Sequence, residues 1–378
     1  MAKYLKFIIP IGLLITASFV AILVVPKWQR PQTVSSVPVA DGSLQDFYNE
    51  AQQLTGASQT AATTTTTFLA VGDIMLSRDV AATTIKAADV DYPFANVADL
   101  LKSTDFNFAN LESPVAAPGT VPIVGGNSLT FGAPSSSLVA LKSYNFQIIN
   151  SANNHAFDQG VAGLSYTRSI LDNLGIAHEG TGQNLNQAWT PAVVTANGIK
   201  ICFVGAAYGT NSGGSTAAQY VAEISETDML KQAINTAKAE CDFVVVTMHA
   251  GTEYTRTPNQ GQIDFAHAAI DDGANMVIGA HPHWIQPIEK YNGKYIFYSL
   301  GNFIFDQAFS PDVMQGLTLK ITISKPAGTK LQGSAQAASL LSVQLIPVII
   351  QNSQPRQATS EETKNVLNKI GITSNTLH

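Results

Sequence analysis

The sequence predicts an α/β fold, on three observations. From Phe68 onward, apolar runs of strand length alternate with stretches of helical character, as in βα units. Five of those runs close on polar or ionisable residues: Asp73, Glu112, Asn154 with His155, His249, and His281 with His283. Open α/β sheets place their sites at such strand ends. The 378-residue length also gives ample core for one large domain or two.

The extreme N-terminus is different. Residues 1–6 carry Lys3 and Lys6, residues 7–25 form an apolar run of about bilayer-spanning length, and Lys27 and Arg30 follow. No clean small-residue cleavage site comes after it. Residues 1–30 are therefore expected to be an uncleaved signal anchor rather than a cleaved signal peptide. This predicts a single-pass protein of the cell membrane, its N-terminus cytoplasmic and the rest extracytoplasmic. Residues 31–67, rich in Ser, Thr, Ala, Gln and Pro, read as a flexible stalk reaching on the order of 35 Å.

The domain is expected over residues 68–352. Residues 68–73 read as a buried first strand ending on Gly72-Asp73, and residues 105–112 as a second ending on Glu112. A third, from residue 145, closes on Asn153, Asn154 and His155, with Asp158 and Gly160 beyond it and a helix to about Leu174. Residues 190–204 suggest a hairpin turning at Asn197-Gly198. Residues 205–222 form a Gly/Ser/Thr/Asn-rich loop, either an active-site lid or an exposed connection. Residues 227–240 read as a helix, 242–248 as a strand ending on His249, and 260–272 as a helix. The strand at 276–278 breaks at Gly279 and presents His281 and His283, which at i and i+2 of an extended segment share a face. Strands at 294–300, 315–324 and 340–350 follow. Residues 353–378 read as a polar tail with a short helix.

Composition excludes some functions. Charged residues are 13% of the chain and the formal net charge is −6, without long runs, so nucleic acid is not an expected partner. There is no P-loop and no G-x-S-x-G elbow. Cys202 and Cys241 open apolar runs and lack zinc-ligand spacing; they are expected as buried reduced thiols, with a lone disulfide between core strands the alternative. His178, His267 and His378 fall in a loop, a helix and the tail, and receive no role.

The strand-end residues do suggest chemistry. A carboxylate at the end of a buried strand is costly unless a cation meets it. Two carboxylates, an amide oxygen and three or four imidazoles exceed what one Zn²⁺ uses, and suit two first-row divalent ions in mixed N/O coordination.

Six motifs then occur in order: Gly72-Asp73-Ile74-Met75; Asn110-Leu111-Glu112-Ser113-Pro114; Asn153-Asn154-His155 with Asp158 and Gly160; His249-x-Gly251-x-Glu253; Gly279-x-His281-Pro282-His283; and Ser299-Leu300-Gly301-Asn302-Phe303. Together they resemble the CapA family of bacterial capsule and poly-γ-glutamate synthesis proteins, itself similar to the calcineurin-like metallophosphoesterases. The resemblance implies a four-layer α/β/β/α sandwich of that type, behind the N-terminal transmembrane helix. It implies that Asp73 and His283 serve a first metal, that Glu112 bridges, and that Asn154, His249 and His281 serve a second. His155, with Asp158, would protonate a leaving group. Two divalent ions (Mn, Fe or Zn) would be the cofactors.

The sequence departs from the wider phosphoesterase pattern in two ways: Met75 stands where a first-metal histidine is usual, and the bridge is a longer Glu. Glu253, Asp306 or Asn302 could supply an alternative ligand or orient the others. Arg78 either approaches an anionic substrate oxygen or lies on a helix surface. Two functions are open. One is a metal-dependent hydrolase acting on a phosphoester or on γ-glutamyl amides of an anionic polymer. The other is a non-catalytic, polymer-binding or scaffold component beside capsule or polyglutamate synthase subunits.

Overall fold

The computed structural model describes residues 63–327 and 337–378. The anchor expected at 1–30 and most of the stalk expected at 31–67 lie outside the described residues. Among the described residues no helix is long and apolar enough to cross a membrane.

The strands form two sheets. The larger contains β1 (Thr63–Ile74), β2 (Phe106–Leu111), β3 (Phe146–Asn150) and β4 (Ala177–Glu179), mutually parallel. Its other half is antiparallel: β12 (Gln315–Pro326) pairs β1, β13 (Ser339–Gln351) pairs β12, and β14 (Gln354–Gln357) forms the edge. The short β11 (Asn302–Ile304) also pairs β1. The smaller sheet runs β5 (Ala192–Ala196), β6 (Ile199–Ala207), β7 (Phe243–His249), β8 (Met276–Ala280), β10 (Lys294–Phe297) and β9 (Ile288–Tyr291). The hairpin between β5 and β6 turns at Asn197 and Gly198, both at positive φ, as a two-residue turn between twisted strands requires.

Strand periodicity explains how the layers stack. Phe68 and Ala70 of β1 and Phe106 and Phe108 of β2 face Ile201 and Phe203 of β6 and Phe243 and Val245 of β7 in a core between the sheets. Phe203 stacks on Phe108, with ring centroids 5.6 Å apart, and meets Phe68 edge-on at 6.0 Å. The alternate residues Leu69, Val71, Ala109 and Ile149 point the other way, into a second core with Phe94, Leu138 and Leu171. On the outer side of the smaller sheet, Val204, Val244 and Val246 meet Leu230 and Ile234 of helix α3 (Thr227–Glu240) and Phe265 of helix α4 (Gln260–Asp272). Burial on both faces is why the central strands read as continuous apolar runs.

Three expectations need correction. The threonine run at 63–67, assigned to the stalk, is the first half of β1, each residue paired with β12; β-branched side chains suit a pleated surface. The segment from 353 carries helix α5 (Ser360–Lys369), started by a Thr359/Glu362 capping box, but also the edge strand β14, and it packs Val366 and Leu367 into the inter-sheet core. Finally, Cys202 and Cys241 are joined in a disulfide, Cα–Cα 5.7 Å. Parallel pairing of β6 with β7 brings Cys202 beside Cys241, the residue that caps α3, within disulfide reach despite a sequence separation of 39.

Candidate metal centre and active site

The ends of β1, β2 and β3 and those of β7 and β8 open on the same region. Two close backbone approaches shape it. A Cβ on Gly72 would lie 1.9 Å from the Gly301 carbonyl oxygen, and one on Gly279 would lie 2.1 Å from that of Tyr298. Only glycine permits these contacts, and the first lets the Asp73 N–H donate to Gly301 O at 3.0 Å.

Asp73, Glu112 and His249 are fully buried, and each offers a ligand atom within 4.8 Å of the others. His249 Nδ1 lies 3.8 Å from Asp73 Oδ1. His283 bridges the two carboxylates, its Nδ1 3.4 Å from Asp73 and its Nε2 3.7 Å from Glu112. His281 Nδ1 is 3.2 Å from His249 Nε2, which also meets Asn154 Oδ1 at 2.7 Å. Asn302 Oδ1 holds His283 Nδ1 at 2.8 Å. Tyr254, His281 and His283 sit at positive φ, a strain of about 1–3 kcal/mol each that persists where surroundings dictate it.

Electrostatics make this cluster fit a cation. Both Glu112 oxygens and His249 Nδ1 are buried without a hydrogen-bond partner among the described residues. Burial, then the adjacent Asp73 charge, holds the Glu112 carboxyl well above the usual carboxylate range. Burial and the neighbouring imidazoles push His249 well below its ordinary value and His281 down to about 3. For His283, burial acts downward, but Glu112 and Asp73 outweigh it and hold the ring at about 9. Two buried carboxyl groups thus lie among three imidazoles, of which burial favours the neutral form of His249 and His281 while the acids favour the charged form of His283. A divalent ion would relieve both the orphaned oxygens and the like-charge repulsion.

Beside the cluster stands a His–Asp pair. His155 Nδ1 lies 2.7 Å from Asp158 Oδ2, which also accepts from the Phe131 N–H at 2.7 Å. The imidazole stacks on the Phe131 ring at 3.9 Å and turns Nε2 toward Glu112, 3.9 Å away. Outward lies a cavity of about 400 Å³ lined by His155, His283, Arg78, Glu253, Tyr254 and Phe131, among others. The connection after β6 closes over this region. Tyr208 packs on His281 with ring centroids 4.8 Å apart, Asn211 N donates to Asn154 O at 2.7 Å, and Ser212 Oγ to Asp158 at 3.4 Å.

Three candidates lie differently. Arg78, the first residue of helix α1 (Arg78–Ala87), is paired with Asp306 and donates to Ser128 O at 3.1 Å. Its guanidinium, 4.8 Å from the Phe131 centroid, forms part of the cavity wall. Asp306 is thereby engaged away from the cluster. Glu253 is exposed at the cavity rim and reaches Glu112 and His283 only through its charge. Met75 is turned into the apolar core, with Sδ accepting from Ser77 N at 3.1 Å.

Sequence reasoning missed the residues beneath the cluster. Asn110, inside β2, donates to Asp73 Oδ1 at 2.7 Å and accepts from Asn150 at 3.0 Å and Asn153 at 3.4 Å. A buried amide in a strand interior needs partners, and that was its one signal.

Residues 67–307, more than half of the chain, match the family model described as bacterial capsule synthesis protein PGA_cap. The PGA biosynthesis protein CapA of Bacillus subtilis (strain 168) is 34% identical over 242 residues, covering 64% of this chain and 63% of that one. This chain thus spans under two thirds of that relative's length. The capsule biosynthesis protein CapA of Bacillus anthracis is 28% identical over 305 residues, covering 79% and 71%. Among solved structures, a 5'-nucleotidase from Candida albicans SC5314 aligns with a TM-score of 0.42 at 11% identity, covering 80% of this chain and 54% of that one.

Proposed function

The chain belongs to the bacterial capsule synthesis protein family PGA_cap, and from that premise we propose that it is a membrane-anchored, extracytoplasmic, metal-dependent hydrolase of the calcineurin-like type, acting in capsule or poly-γ-glutamate biosynthesis. The observation that carries the reading is the buried Asp73–Glu112–His249 group with the His155–Asp158 pair beside it, His155 and His283 lining the cavity outside. The disulfide supports an oxidising, extracytoplasmic setting.

Asp73, Glu112, Asn154, His249, His281 and His283 would hold about two divalent ions, of Mn, Fe or Zn. Bound there, the ions would activate water and offset charge on a phosphoryl or acyl oxygen. The protein's own part is positional. Asp158 fixes the His155 ring through Nδ1, so that Nε2 can deliver a proton to a leaving group in the cavity. Asn302 and Asn110 orient His283 and Asp73. Arg78, neutralised by Asp306, shapes the cavity wall. The substrate class is a phosphoester or a γ-glutamyl amide.

A non-catalytic role within a synthesis complex is the second reading. It is favoured by Met75, turned into the core, and by Arg78, whose charge is already matched. Metal analysis of the purified full chain separates the two. The hydrolase reading expects about two equivalents of metal, lost in Glu112→Gln and His281→Ala, and cleavage of a model phosphoester or γ-glutamyl amide that His155→Ala abolishes. Metal without turnover on either substrate class favours the second reading. No metal after loading overturns the first.

A further inference from the structure

A second, small cavity lies beside the segments that follow β2 and β3. It is walled by Leu111, Ala156 and Leu164 and entered by the side chains of Arg168, Ser151 and Thr181. Arg168 projects from helix α2 (Gly160–Leu174) and is only 9% exposed. Among the described residues its Nε is buried without a hydrogen-bond partner. The nearest carboxylate influence is Asp172, one turn further along the helix, but that side chain is 67% exposed and bonds His178 at 3.2 Å. The hydroxyls of Ser151 and Thr181 are likewise buried without a protein partner. By contrast, two other hydroxyls on the wall are engaged. Ser113 accepts from Leu76 N at 2.8 Å, and Thr167 accepts from Val115 N and donates to Gly163 O, both at 2.8 Å.

We propose that this cavity is a binding site for a small monovalent anion, with chloride the representative ligand, held by the Arg168 guanidinium and the Ser151 and Thr181 hydroxyls. Three considerations lead there. A guanidinium can only donate, and both hydroxyls can turn to donate, so the site presents donors to an acceptor. A largely buried guanidinium whose one nearby acid, Asp172, is itself solvent-exposed is costly to leave uncompensated; water would satisfy the hydrogen bonds but not the charge. The free space of ≈ 20 Å³ holds roughly one water-sized sphere, which suits a halide and is too small for phosphate, sulfate or a polymer carboxylate.

The cavity also lies where an occupant would matter. Ser113 follows Glu112, and Ser151 and Ala156 flank the segment carrying Asn154 and His155. A bound anion would tie both connections to α2 and steady the back of the metal cluster.

Crystals of the protein soaked in sodium bromide, measured at the bromine edge, give the direct test. An anomalous peak within hydrogen-bond distance of Arg168 and of the Ser151 or Thr181 hydroxyl is expected; solvent density there without anomalous signal overturns the proposal. In solution, the full chain is unfolded thermally in chloride against gluconate at equal ionic strength. Chloride at about ten times its Kd should raise Tm on the order of 2–4 °C. Thr181→Val, which removes one donor and keeps the shape, should reduce that response several-fold, and Arg168→Met should abolish it. A wild-type Tm indifferent to halide, or a response unchanged in Thr181→Val, overturns the assignment.

Discussion

The two sheets contribute opposite chemistry to one site. The nine-stranded sheet delivers oxygen: Asp73 from β1, Glu112 after β2, and Asn154 with the His155–Asp158 pair after β3. The six-stranded sheet delivers nitrogen: His249 from β7, and His281 and His283 after β8. Apart from the other, the first would bury two repelling carboxylates and the second a set of imidazoles driven neutral by burial. The candidate cation site exists only where the two are packed together, so it depends on the inter-sheet core.

The packing between the sheets is most exposed to change at the core. Phe203→Ala removes the ring that stacks on Phe108 and meets Phe68, and should cost about 3–5 kcal/mol in urea unfolding. A loss below about 1 kcal/mol would mean that the sheets are held together elsewhere. The disulfide concerns the six-stranded sheet alone. Replacing both cysteines by serine should cost about 2–4 kcal/mol of stability while leaving bound metal in the folded protein unchanged. If metal falls in proportion to stability, the two sheets are not separable in this way.

Glu112→Gln sharpens the electrostatic half. Metal affinity should drop by more than about 100-fold, beyond the range typical of groups that merely orient ligands. The metal-free protein should be no less stable than wild type, because a buried, repelled carboxylate has been removed. Calorimetric titration alongside unfolding of the metal-free chain checks both. Next come the two orienting amides, one for each sheet's ligand. Asn110→Ala, beneath Asp73, and Asn302→Ala, beside His283, should each weaken metal binding by roughly 10-fold. An effect confined to one of them would show which sheet limits the site.

A pH dependence is expected where β4 meets β7. Glu179 is buried and bonds Thr247 at 2.7 Å, and burial pushes its carboxyl up to about 8 despite that bond. The folded state therefore holds a proton that the unfolded chain releases near 4.5. This contribution to stability is complete below about pH 4.5 and is lost as the pH rises through about 8. Denaturation midpoints should show Glu179→Gln gaining on wild type as the pH rises across that window; parallel curves would refute the assignment.

Much of this was legible in the chain. Helices α3 and α4 fall where their patterns place them, because each carries an amphipathic face and distinct boundaries. The strand-end residues stood out because buried apolar runs rarely close on Asp, Glu and His without cause. The threonine run of β1 was less clear, since a repeated polar residue resembles a linker until a partner strand covers it. Arg78 could not be placed, because Asp306, 228 positions away, decides whether its charge is free. Asn110 was passed over for the same reason: its role depends on three amide and carboxylate partners from β1, β3 and the connection after β3.

By itself the sequence determined the α/β character, the order of the ligand-type residues and their attachment to strand ends. These follow from local periodicity and from the cost of polar groups next to apolar runs. Tertiary structure alone decided which oxygens meet which nitrogens, that Cys202 bonds Cys241, and that Arg168 faces a cavity without an acid. Each of those depends on register and packing between elements far apart in the chain. Distance in space, not in sequence, sets the Coulomb and hydrogen-bond energies on which the site rests.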